Sequence, residues 1–103
     1  LNETRPDAIV ATDDFLAFGA LRALSEKDQL ADGQPTIPVY GFNNSIRGRY
    51  QHPSLSSVDI NPEQLGYHAT RLLIEHIQDG NGETAHQIVD TSVIHRETSL
   101  KPQ

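Results

Sequence analysis

The chain of 103 residues contains no cysteine, methionine or tryptophan. Without cysteine there are no disulfides, no thiolate metal ligands and no cysteine nucleophile. Basic residues are scarce: 8 Lys and Arg stand against 14 Asp and Glu, for a formal net charge of −6. They are also scattered, with only Arg47 and Arg49 close together. Phosphate backbones are gripped by clustered cations, so this chain is not expected to bind nucleic acid by itself. No apolar run approaches the ~18 residues of a membrane span. No signal peptide opens the sequence, although a chain with no Met reads as beginning mid-protein. The five histidines (52, 68, 76, 86 and 95) show no i, i+4 pair, so neither a metal nor another cofactor is expected.

What is present fits one globular domain or a piece of one. Hydrophobic content is 36% and charged content 21%, ordinary for a soluble protein. A chain of this length can bury roughly two-thirds of its unfolded surface.

The organising stretch is Ala8 to Leu24. Ala8-Ile9-Val10-Ala11 reads as a short strand covered on both faces. Asp13 and Asp14 follow where a helix begins, and the unpaired N–H groups there favour a carboxylate cap. Leu16, Ala17, Ala20, Leu21, Ala23 and Leu24 then place an apolar face on a helix of about 14–27. One carboxylate can cap that helix, leaving the other free to point beyond the strand end, where ligands bind in open α/β folds.

Residues 29–38, with Asp32-Gly33 and two prolines, read as a loop. Residues 37–42 form a second strand, which completes a βαβ unit and implies parallel strands. That strand runs into Asn43-Asn44. Parallel strands end at the same rim, so an aspartate and an asparagine could converge there; equally, the two loops could be a helix cap and an Asx-turn. Residues 46–53 allow one helical turn. Residues 55–60 alternate apolar and polar as a half-exposed strand does. Asn61-Pro62 with Gln64 resembles a capping box. It opens a helix to about Gln78, with Leu65, Ala69, Leu72, Leu73, His76 and Ile77 on its buried side, and Gly80 closes it. Residues 88–94 are a last strand, and the polar tail from Arg96 is expected to fray.

The chemistry on offer is limited. No glycine-rich loop opens a helix, no Gly-x-Ser-x-Gly elbow is present, and a phosphoacceptor receiver would need a later carboxylate and a lysine that are missing. Planar Asp and Asn groups beside Phe15 or Phe42 suit a neutral sugar, whose hydroxyls they chelate while an aromatic face lies under the ring.

Four motifs, in order over almost the whole chain, carry a family resemblance. Pro6-Asp7-Ala8-Ile9-Val10-Ala11-Thr12-Asp13-Asp14 with Leu16-Ala17 and Gly19-Ala20-Leu21-Arg22-Ala23-Leu24 resembles the effector-binding domain of lactose/galactose-repressor-type transcription regulators. Val39-Tyr40-Gly41-Phe42-Asn43-Asn44 is similar to a second family motif, which usually has Asp at the first amide position. Pro53-Ser54-Leu55-Ser56-Ser57-Val58 with Leu65-Gly66 is similar to its Pro-x-Leu-Thr-Thr-Val run, and Val93-Ile94-His95-Arg96-Glu97-Thr98-Ser99 resembles its Val-x-Arg-x-Ser ending.

The resemblance implies an α/β fold of periplasmic-binding-protein-like type I architecture with a parallel sheet, of which this chain is a C-terminal fragment. Residues 1–58 would lie in the C-terminal lobe, 59–61 at a crossover, 62–84 in a helix segment of the N-terminal lobe, and 85–103 in a return strand and tail. It implies the sugar-sensing part of a cytoplasmic, dimeric transcription regulator, a repressor and not an enzyme. Its effector would be a mono- or disaccharide. Operator DNA would be reached only through an N-terminal domain absent here, and no membrane is involved.

Asp13 and Asn43 match effector-binding positions. Asp14, Phe15, Phe42 and Ile60 accompany them as candidates, with Asp14 nearer a structural role. Ile60 stands where some members carry a ligand-binding Gln, so that contact is lost. Phe18, Arg47 and Tyr50 would face a dimer partner, with core packing as the alternative for Phe18. Asn43-Asn44-Ser45 is similar to maltose-operon repressors. The competing readings are a periplasmic sugar-binding protein of a transport system and, third, an α/β enzyme using Asp13.

Overall fold

The computed structural model of the chain describes residues 6–80 and 86–99. Its main sheet has four strands in the order β1 (Ile9–Val10), β4 (Val39–Phe42), β5 (Ser56–Asp59) and β6 (Ser92–Ile94). The first three run parallel: Ile9 and Val10 lie opposite Val39 and Tyr40, and Tyr40, Gly41 and Phe42 lie opposite Ser56, Ser57 and Val58. β6 returns antiparallel, with Val93 opposite Val58. Helix α1 (Asp14–Glu26) makes the crossover from β1 towards β4 and packs on one face of the sheet.

The core is small and lies between α1 and that face. Ala17, Phe18, Leu21 and Leu24 supply the helix side; Ile37, Val39 and Leu55 supply the other. The i, i+4, i+7 spacing of Ala17, Leu21 and Leu24 is what one sheet-facing stripe requires. The stripe is narrower than the sequence suggests: Leu16 is 61% exposed and Ala23 is also exposed. β1 is likewise less covered than expected, with Val10 at 64% exposure. It is the outermost strand of the described sheet, and α1 shields only one of its faces.

The stretch expected to be a loop contains a hairpin, β2 (Leu30–Ala31) with β3 (Gln34–Pro35). Asp32 and Gly33 both take positive φ, 54° and 78°, as a two-residue type I′ turn requires. Strands of two residues are too short to leave a pattern in the sequence.

Helix α2 (Ile46–Tyr50) is the expected helical turn, capped by Ser45, whose hydroxyl accepts from the Gly48 N–H at 3.2 Å. Helix α3 (Pro62–Asp79) has the expected length, with Pro62 at its start and Gly80 at φ 65° closing it. Two expectations fail there. Asn61 sits at φ 56° and makes no side-chain cap; its N–H donates to Asp59 Oδ1 at 2.8 Å instead. No residue of α3 is buried: Leu65, Leu73 and Ile77 are 45, 59 and 69% exposed. The apolar spacing is real, but the described residues do not cover it enough to bury any of its side chains.

The tail does not fray at Arg96. Residues Glu97–Ser99 form a 3-10 turn against the sheet, and Thr98 is fully buried. Its hydroxyl accepts from the Ser56 N–H at 2.8 Å and donates to the Val39 carbonyl at 2.7 Å. β5 is not half-exposed either. Ser57 bonds towards α1 through Asp14, while Ser56 bonds Ser99 and the Arg96 main chain on the opposite face. Both serines are therefore covered. The last strand is shorter than expected, spanning only Ser92–Ile94.

Thr98→Val keeps the shape and removes the hydroxyl, leaving a buried N–H and a buried carbonyl each short of a partner. The expected loss is about 2–4 kcal/mol, read as a lower urea midpoint with an unchanged denaturant slope.

Candidate functional site

β1, β4 and β5 are parallel, so their carboxyl ends share one rim of the sheet. Asp13 follows β1 there as the N-cap of α1. Its Oδ1 accepts from the Phe15 N–H at 2.7 Å. Its Oδ2 is 3.4 Å from Nδ2 of Asn43, which follows β4. The acidic and amide groups singled out from the sequence are thus brought together, 30 residues apart in the chain. One carboxylate serves both purposes: one oxygen caps the helix and the other faces the rim. Asn43 is exposed and Asp13 half-buried, so both remain reachable.

Asp14 does not share that rim. It is 2% exposed, and its carboxylate is fully engaged below. Oδ2 accepts from the Ser45 N–H at 2.6 Å and Oδ1 from the Ser57 hydroxyl at 2.8 Å. Of the candidates it is the one expected nearer a structural role, and it ties α1 to the loop after β4 and to β5. Gly41 makes the arrangement possible, because a Cβ there would overlap the Asp14 carboxylate.

The remaining candidates divide. Phe15 is 66% exposed and edge-on to Phe18, with ring centroids 5.7 Å apart. Phe42 is half-buried in β4, opposite Val58. Ile60 is half-buried one residue past β5, at the same rim, and offers only hydrocarbon. Phe18 is in the core, only 9% exposed, under the Arg47 guanidinium at 4.3 Å. Within this chain it follows the packing alternative, while Arg47 and Tyr50 are exposed, the latter at 82%. A cleft of about 210 Å³ beside them is lined by Phe18, Arg22, Arg47, Gln51 and His52 among others. Among the described residues no group of three His, Asp or Glu side chains is placed to hold a metal.

Asn44 stands beside Asn43 as a rim candidate and Arg96 in the closing motif, but nothing in the sequence joins either of them to Asp59. Asn44 takes φ 50° beside Asn43 at φ 94°, a left-handed region that Asn tolerates better than most residues. Its Nδ2 donates to Asp59 Oδ2 at 3.1 Å, and its Oδ1 accepts from Arg96 at 2.7 Å. The Asn61 main-chain N–H, then the Asn44 amide, hold the Asp59 carboxyl below the usual carboxylate range, helped by Arg49 and Arg96. Glu97 is lowered too, first by the Ser54 N–H and also by His52 nearby.

Comparison with known proteins agrees with this geometry. The family model of the periplasmic binding protein-like domain matches residues 1–99. The lactose operon repressor of Rhizobium radiobacter is 36% identical over 100 residues, covering 97% of this chain and 86% of that one. The chain belongs to the lactose/galactose-repressor type of the periplasmic binding protein-like family.

Solved members of this family share the fold. A LacI transcriptional regulator from Bacillus cereus subsp. cytotoxis NVH 391-98 superposes with a TM-score of 0.85 and 31% identity, over 98% of this chain and 35% of that one. The lac repressor dimer bound to operator and the anti-inducer ONPF superposes with a TM-score of 0.75 and 26% identity, over 92% of this chain and 32% of that one. The chain therefore spans about a third of the solved regulators it matches. These relatives are transcription regulators and not enzymes or transport proteins.

Two measurements test the scaffold of this family member. Gly41→Ala forces a methyl group against Asp14 and Leu55, with an expected cost of about 1–3 kcal/mol in urea unfolding. Lowered native pKa values at Asp59 and Glu97 give stability that is complete above the ordinary carboxylate range, about pH 4. That stability is lost as pH falls through the lower native values, because the unfolded state takes up protons first. Urea midpoints between pH 2 and 7 should show this decline, and Asp59→Asn should make it shallower.

Proposed function

We propose that this chain is part of the effector-sensing domain of a sugar-responsive transcription regulator, a repressor acting in the cytoplasm and not an enzyme. The observation that carries the reading is the pair Asp13 and Asn43, 3.4 Å apart at the carboxyl ends of adjacent parallel strands. A carboxylate oxygen that accepts and an amide that donates suit neighbouring sugar hydroxyls, and Phe15 and Phe42 supply apolar surface close by in the chain. The effector is a mono- or disaccharide, in keeping with the lactose operon named for the Rhizobium radiobacter relative.

In this reading residues 1–58 belong to one lobe, 59–61 cross over, 62–84 lie in the second lobe, and 85–103 return. The unburied apolar side of α3 supports such a division, since it asks for partners outside the described residues. The regulator is a homodimer through the Arg47 and Tyr50 side, and operator DNA is contacted by a part of the protein outside this chain. The net charge of −6 supports that assignment of roles. Effector binding shifts the regulator between DNA-binding states only to the extent that it favours one of them. The alternative of a sugar-binding transport protein has less support, because the relatives are transcription repressors and regulators.

Calorimetric titration of lactose and a panel of mono- and disaccharides into the full-length regulator tests the site. Asp13→Ser retains a helix cap but loses the oxygen that faces Asn43; Asn43→Ala removes the amide. Each variant is expected to weaken sugar binding by roughly tenfold to a hundredfold while operator binding persists. Unchanged sugar affinity in both variants would reject the assignment.

A further inference from the structure

Asn44 joins α2, β5 and Arg96, whereas Asn43, its neighbour, reaches β5 only through its main-chain N–H to the Val58 carbonyl at 2.9 Å. Its N–H donates to the Ser57 hydroxyl at 2.9 Å, and its carbonyl accepts from Arg49 at 3.3 Å. Its Nδ2 donates to Asp59 Oδ2 at 3.1 Å, and its Oδ1 accepts from Arg96 Nη2 at 2.7 Å. Asp59 ends β5, immediately before the chain leaves for α3. Arg96 lies just past β6, by which the chain comes back, and its other guanidinium nitrogen donates to the Leu55 carbonyl at 2.8 Å. A single carboxamide therefore fastens the outgoing and the returning strand to the loop that carries Asn43.

The chemistry requires an amide there. Facing Asp59 it must donate, and facing Arg96 it must accept. α3 buries no residue on the sheet, so these two strands are its main connection to the rest of the described chain. Any movement of α3 relative to the sheet bends the chain near Asp59–Asn61, next to the Asn44 contact.

We propose that Asn44 is the positioning residue that couples sugar occupancy at Asp13 and Asn43 to the geometry of the β5–α3 crossing, through its paired bonds to Asp59 and Arg96. The proposal rests on the sugar-sensor reading. It adds a route: a ligand that shifts Asn43 also shifts the adjoining residue, and through it both strands at once.

Asn44→Asp isolates the coupling. The new carboxylate still accepts from Arg96, and Asp tolerates the left-handed backbone, but it can only repel Asp59. Adding Asp59→Asn restores a donor to the pair while its remaining carbonyl oxygen still accepts from the Asn61 N–H. The readouts, in the full-length protein, are calorimetric affinity for lactose, maltose and cellobiose, and amide hydrogen exchange over residues 58–65 with and without the sugar that binds.

In the unaltered protein the sugar is expected to slow exchange in that segment by about tenfold. Asn44→Asp should keep sugar affinity within about tenfold yet lose the slowing. The double variant should regain it, while the thermal midpoint of Asn44→Asp stays close to that of the unaltered protein; a purely structural role would instead lower the midpoint in step with the lost slowing. Retained slowing in Asn44→Asp overturns the proposal, as does failure of the double variant to recover it. If none of the three sugars binds, the sugar is taken from the panel of mono- and disaccharides above; if the unaltered protein binds none of that panel, the sensor reading falls and the coupling with it, an outcome distinct from either of those.

Discussion

The Asp14 carboxylate is the constraint on which the rim of this sheet depends. It sits in the first turn of α1, where the helix field favours negative charge. It spends both oxygens on other segments, the Ser45 N–H after β4 and the Ser57 hydroxyl on β5. A buried carboxylate is tolerable only when fully hydrogen-bonded, so the three segments have little freedom to separate. The placement of Asp13 against Asn43 follows, because Asp13 is the residue before this anchor and Asn43 stands two before Ser45. Gly41 completes the arrangement by leaving room for the carboxylate.

Much of this was legible in the residues. Two adjacent aspartates between an apolar tetrad and an amphipathic helix announced a strand end and a helix start. Two asparagines after the next strand announced the second half of the rim, and the βαβ order implied that both halves face the same way. The division of labour between Asp13 and Asp14 was not legible. Either could cap, and only the position of Ser45 and Ser57 in space decides which one is drawn inward. The link between Asn44 and Arg96 was invisible for a related reason. The partners of their side chains lie 15, 41 and 52 residues away along the chain, and local patterning carries no trace of such pairs.

The expectations that failed share a physical cause. Leu16, Val10 and the apolar side of α3 were read as buried because periodicity reports which side of an element is apolar, not whether anything covers it. In this chain α1 covers one face of β1, and the described residues bury no side chain of α3. The tail erred the other way. Arg96, Glu97, Thr98 and Ser99 are polar and were read as solvated, yet they dock because their groups match main-chain donors and acceptors left open by Ser54, Leu55 and Ser56.

The hydroxyl groups of β5 carry one more consequence. Ser56 and Ser57 carry identical side chains, so hydrocarbon packing alone would discriminate poorly between neighbouring alignments of this strand. Their bonds point to opposite faces, one set to Ser99 and Arg96 and the other to Asp14. Sliding the strand by a single position would swap the two faces and strand both sets of partners in a dry interior. Directional bonding thereby selects the alignment of the central parallel pair, in a stretch where greasy side chains are too few to do so.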